Sequence, residues 1–150
     1  MTEKAKAAKD LLGRAYWSNV HINAKLRQVQ YLRSTAARIT QQFGGLAVSH
    51  SRDPHSMEST VVKIIDLEAA MNAEIDEMVA ERLEIKEIID AVSGKTERAI
   101  LELRYEALCG WSEIETMLSM SRSRIFALHA HALEAAYSIM EQKGMVEHIG

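Results

Sequence analysis

The chain has a single proline, Pro54, and only seven glycines in 150 residues. Breakers this scarce leave long uninterrupted stretches, which argues against a many-stranded sheet with tight turns and favours long helices. There is one cysteine, Cys109, so no internal disulfide can form, which fits a reducing compartment. No apolar run approaches the roughly 20 residues that a membrane span needs. Thr2 to Asp10 is charged where a signal peptide would be apolar. A cytoplasmic protein without a membrane partner is expected. With 47% hydrophobic and 26% charged residues, the composition is that of a folded domain rather than a disordered chain.

Patterns that carry catalysis are also missing. There is no G-x-S-x-G and no glycine-rich phosphate loop, and Cys109 has no base partner close in sequence. His129 and His131 stand two apart, so on a helix they point in different directions and do not form an i, i+4 ligand pair. His50 and His55 sit in a breaker-rich stretch with only Asp53 as a nearby carboxylate. The expectation is a protein that is not an enzyme, with no catalytic residue, no metal site and no cofactor.

What is present is helical periodicity and divided charge. From about Lys4 to Phe43 apolar residues recur every three or four positions: Leu12, Ala15, Ile22, Leu26, Val29, Leu32, Ala36, Ile39 and Phe43. A second stripe, Val61, Ile64, Met71, Ile75, Met78, Ile85, Ile89 and Val92, belongs to a helix that Ser59 or Thr60 can cap. Residues 44–57 between them carry two glycines, the proline and scattered serines, and read as a flexible loop. Residues 1–43 hold eight Lys/Arg against two Asp/Glu, net +6, and residues 58–92 hold three against ten, net −7. Two such helices attract, so an antiparallel, coiled-coil-like hairpin over residues 1–92 is expected. Val62, Ile65, Val79, Leu83 and Ile88 widen the second stripe beyond what one partner helix covers. That surplus predicts self-association as a homodimer through a four-helix bundle.

Ser93-Gly94 ends this region, and residues 93–150 change to three shorter units: Thr96 to about Leu108, Ser112 to about Leu118 and Ser121 to about Gln142. Ser112 and Glu115 have capping-box spacing, and Ser121 is a good N-cap. On the last helix Ile125, Leu128 and Ala132 should face inward, leaving Arg122, Ser123, Phe126 and Ala127 outward in its first turns. A helix, a tight turn and a second helix that presents its N-terminal side chains is the geometry that reads base edges in a major groove. The fold class expected is therefore all-α: a helical hairpin followed by a C-terminal helix-turn-helix domain.

The run ILELRYEALCGWSEIETMLSMSRSRIFALHAHAL, Ile100 to Leu133, resembles region 4 of sigma-70-type factors. With the long N-terminal helices, the DLE at Asp66 to Glu68 and the LELRY at Leu101 to Tyr105, the whole chain resembles phage-encoded sigma-like proteins, including ArpU- and RinA-type transcriptional activators. That resemblance implies binding of double-stranded DNA near promoters and activation of phage genes, with host RNA polymerase as a further partner. Carried over by position, Ser121 caps the recognition helix, Arg122 reaches a base or phosphate, and Ser123, Phe126 and Ala127 stand at base-reading positions; Arg124, and His129 as a source of charge at lowered pH, complete the expected DNA-binding set. Ser123 and Ala127 stand where longer polar side chains are common in the family, Phe126 where a basic or polar one is, and Ser119-Met120 where the turn often has glycine. Residues 93–150 carry six Lys/Arg against eight Asp/Glu, net −2, which is a weak general attraction for phosphate. Two alternatives come from other classes: a small subunit of a phage terminase, which would form a ring larger than a dimer, and a module that binds protein only.

Overall fold

A computed structural model describes the backbone of residues 1–44 and 54–148. Among these residues the chain is all-helical, with α1 over Glu3–Gly44, α2 over Pro54–Asp90, α3 over Lys95–Leu101, α4 over Trp111–Leu118 and α5 over Arg122–Gln142. A π-helical segment, Glu102–Glu106, follows α3 directly. Most of the expected loop, residues 45–53 with His50 and Asp53, lies outside the described residues. The rest of it departs from expectation. Gly44 closes α1, and α2 starts at Pro54 rather than at a Ser59 or Thr60 cap. Proline suits a first helical turn, because the amide it lacks would have no partner there.

The helix ends follow from local chemistry. Thr2 opens α1, its hydroxyl accepting from the Ala5 N–H at 3.1 Å, with Glu3 placed favourably in the first turn. Beyond α2, Arg98 donates to the Val92 carbonyl at 3.2 Å and satisfies a group the helix end leaves open. The single helix expected from Thr96 to Leu108 is interrupted. The Ala107 N–H reaches back to Glu102 O at 2.9 Å, a wider turn than an α-helix makes, and Leu108 then takes a left-handed φ of 58°.

The described chain forms two compact units, and they cut across the boundary expected at residue 92. One comprises Met1–Ser18 with Ala80–Gly150, the other Asn19–Val79. In the first unit Ala5, Ala8, Leu12 and Ala15 share one buried cluster with Ile85, Ile88, Ile89 and Val92 and with Leu133, Ala136, Tyr137 and Met140 of α5. The alanines permit close helix approach, and Thr2 adds a 2.9 Å hydrogen bond to Glu134. Ile88, which the sequence assigns to surplus surface, is fully buried here. A smaller cluster of Ile100, Ile114 and Ile125, backed by Leu103, Leu118 and Leu128, holds the later helices together.

The second unit has little core of its own. Its stretches of α1 and α2 run antiparallel, as ion pairs from Lys25 to Glu74 and from Arg33 to Glu68 show. Val29 is its one buried residue among those described. Leu26, Tyr31, Val62, Ile65, Leu67 and Val79 are exposed. Tyr31 and Leu67 border a shallow apolar groove with Leu32 and Met71.

Candidate functional site

α4 begins at Trp111, with Gly110 as its N-cap, and the Gly110 N–H donates to the Glu113 carboxylate at 3.1 Å. The reciprocal cap expected from Ser112 and Glu115 is therefore absent, because the N-cap falls two residues earlier, at Gly110. α4 ends at Ser119, which adopts φ 51°, ψ 44°, a left-handed conformation that a side chain disfavours. Met120 N–H bonds back to Glu115 O at 3.3 Å, and Ser121 then caps α5, its hydroxyl accepting from the Arg124 N–H at 3.3 Å. Ser119→Gly, which relieves the left-handed cost, is expected to stabilise the protein by about 0.5–1 kcal/mol and to raise Tm by a few degrees in thermal melts.

The first turns of α5 present one continuous outer face. Ser121, Arg122, Ser123, Arg124, Phe126 and Ala127 are all exposed, while Ile125 is buried and Leu128 half-buried. Arg122 is held in place rather than loose. Its Nε and Nη2 donate to Glu115 Oε2 at 3.1 and 2.8 Å, and Nη2 also donates to Ser112 Oγ at 3.0 Å. The Ser112–Glu115 pair thus braces the start of α5 against α4, leaving the Nη1 hydrogens of Arg122 outside these bonds. At half exposure this pair contributes only about 0–1 kcal/mol to stability.

His129 does not belong to that face, and its expected place in the DNA-binding set is corrected. It is 3% exposed and lies 2.8 Å from the Tyr105 hydroxyl through Nε2. Trp111 packs edge-on against it at 4.8 Å and against Phe126 at 5.0 Å, while the Arg104 guanidinium lies 4.6 Å from the Trp111 ring centre. The buried steps Ile125, His129, Ala132, Ala136 and Met140 carry the signal that the sequence analysis missed, an inward stripe with His129 in line.

Burial above all, then the nearby cations of Lys9 and Arg104, pulls the His129 imidazole down from 6.5 to about 4. Burial likewise pushes the Tyr105 phenol up to about 12. Both groups are neutral near pH 7 and share one hydrogen bond between the phenol oxygen and Nε2, whose direction follows the ring tautomer. The unfolded chain takes up a proton near pH 6.5 that the folded chain refuses until about pH 4. Stability from neutral His129 is therefore full above pH 6.5 and is lost as pH falls to about 4, by about 1–3 kcal/mol. Thermal melts between pH 7 and 5 should show a shallower slope for His129→Gln than for the parent chain, and equal slopes would contradict the buried neutral pair.

Two further features were not legible in sequence. The Arg104–Trp111 stack joins residues on separate elements, and the cations Lys9 and Arg14 on α1 line the same cleft as Arg104. No described helix is long and apolar enough to cross a membrane. In comparisons with known proteins, the family model described as "Protein of unknown function (DUF1492)" matches residues 54–136, more than half of the chain. No curated protein and no solved structure matches it.

Proposed function

The chain belongs to the DUF1492 family, and from that premise we propose that it is a dimeric DNA-binding regulator in which α4 and α5 act as a helix-turn-helix. The observation that carries this is the burial pattern of α5. Arg122, Ser123, Arg124, Phe126 and Ala127 face outward over its first two turns while Ile125 and His129 anchor it inward. An outward helix start of that kind fits a major groove. Arg122 is suited to guanine or phosphate through Nη1, and Arg124 to phosphate, while Phe126 and Ala127 suit the thymine methyl group. His129 contributes by fixing α5 through Tyr105, not by contact. The resemblance to sigma region 4 and to phage activators favours promoter-region DNA, with RNA polymerase as a second partner.

Titrating the full chain into labelled duplex DNA tests this by fluorescence anisotropy. Binding at low salt should weaken linearly in log–log form as salt rises, with the slope reduced by about 1 in Arg124→Gln. No binding at low salt would contradict the proposal.

The unit Asn19–Val79 supplies the dimer contact in this reading. Its helices bury one residue among those described yet expose seven large apolar side chains, Val20 among them, more than a stable isolated pair tolerates. Sedimentation should give twice the chain mass for the parent protein and a monomer for Leu67→Glu, with helical circular dichroism unchanged. A parent monomer, or a ring larger than a dimer, would contradict it.

A further inference from the structure

We propose that a cleft in the first unit binds a nucleoside monophosphate-like ligand, a planar aromatic ring carrying one phosphate. The cleft has a volume of about 500 Å3, within the roughly 300–1,000 Å3 range of small-ligand pockets. No α5 residue lines it, so it stands apart from the outer face assigned to DNA.

Three cations converge there: Lys9 and Arg14 from α1 and Arg104 from the π-helical segment. Lys9 and Arg14 form no ion pair among the described residues, as is also true of Lys4, Lys95 and Arg124 in the same unit, but at the cleft two such cations line one concave site. Arg104 is held by its stack on Trp111 and a 3.1 Å hydrogen bond to Cys109 O, and with Lys9 and Arg14 it leaves three cations against the single carboxylate of Asp10, a surplus that suits phosphate oxygens. Aromatic rings supply the other half of the site. Tyr16 and Trp17, 5.3 Å apart and edge-to-face, stay 54% and 62% exposed at its wall, and Tyr105 lines it as well. Exposed rings of this size offer a flat ligand a stacking surface. Asp10, the one carboxylate of the lining, can accept from exocyclic amino or ring N–H groups of a base.

The backbone around the cleft is irregular where ligand sites often are. Arg104 and Tyr105 lie in the π-helical turn, and Leu108 on the rim holds its left-handed φ. A concave site with stacking walls suits a free mononucleotide better than the convex backbone of a duplex. At Gly13, which also lines the cleft, a Cβ would meet nothing within 4 Å. A larger side chain there therefore intrudes on the ligand space without straining the helix.

Isothermal calorimetry on the full chain provides the test, with AMP, GMP, CMP and UMP titrated one by one, then the best binder's nucleoside and inorganic phosphate. At least one monophosphate should bind with one site per chain, and nucleoside and phosphate should each bind about tenfold or more weakly. Arg14→Gln should cost about tenfold. Gly13→Leu should abolish binding while its Tm stays at or above the parent value, since leucine is the better helix former. Absence of binding by all four at millimolar concentration would overturn the proposal. So would inorganic phosphate binding as tightly as the nucleotide, or undiminished binding by Gly13→Leu. If Arg14→Gln instead lost only duplex-DNA affinity, the cleft would be part of a DNA surface and the nucleotide site would be refuted, with the role of α5 untouched.

Discussion

Deleting residues 1–18 is expected to unfold the C-terminal half of the protein. Ala5, Ala8, Leu12 and Ala15 are essentially inaccessible and belong to the same cluster as Leu133, Tyr137 and Met140. Losing a buried leucine alone costs about 2–5 kcal/mol. Removing Leu12 with three buried alanines and the Thr2–Glu134 bond exposes the facing side of α5 and of residues 85–92. The combined loss is comparable to the whole stability of an ordinary domain, about 5–15 kcal/mol. By the same reasoning a fragment of residues 93–150 should show neither cooperative melting nor native near-ultraviolet circular dichroism. A milder variant, Leu12→Ala, should fold but lose about 2–5 kcal/mol in urea unfolding. A 93–150 fragment that melts cooperatively would contradict the packing of the N-terminal turns into this unit.

Replacing Arg122 and Arg124 together with alanine should weaken duplex binding by about a hundredfold or more while lowering stability by no more than about 1 kcal/mol. Each arginine contact to a base or phosphate contributes about 1–3 kcal/mol of binding. Both side chains are exposed, so the folded chain loses little beyond the Arg122–Glu115 ion pair. Arg122→Ala alone also removes the brace to Ser112, so its effect on affinity includes some loosening of the α4–α5 turn. Ser112→Ala separates the two contributions. It breaks only the 3.0 Å hydrogen bond and should reduce affinity by less than about threefold. Anisotropy titrations paired with thermal melts read both quantities. A double variant that binds like the parent would remove α5 as the contact helix.

Much of the helical plan was legible because helix periodicity and capping are local. The outward set on α5 follows from stepping three and four residues from Ile125, and Ser121 caps as a serine before a periodic run should. The dimensions of α1 follow from the near absence of breakers. Other features depend on which partner covers a stripe, and periodicity is silent on that. Leu12 and Leu26 belong to one stripe in sequence, yet Leu12 is buried in the first unit and Leu26 is exposed in the second. Charge complementarity suggested one continuous pairing of α1 with α2, whereas the alanine-rich start of α1 also packs with α5, a contact between residues more than a hundred positions apart. His129 was misplaced because a histidine near the start of a DNA-facing helix offers charge when protonated, while its burial depends on Tyr105 and Trp111 arriving from separate elements. The π-helical turn has no sequence signature, and the Ser112–Glu115 spacing that predicts a cap serves to hold Arg122 instead.

The most direct measurement is selection of duplexes from a randomised library by the protein, followed by sequencing of the bound pool. The account predicts an enriched motif of two related half-sites, lost when the selection is repeated with the Arg122→Ala, Arg124→Ala double variant. A bound pool indistinguishable from the input library, from protein shown to be folded, would contradict a DNA-reading role for α5.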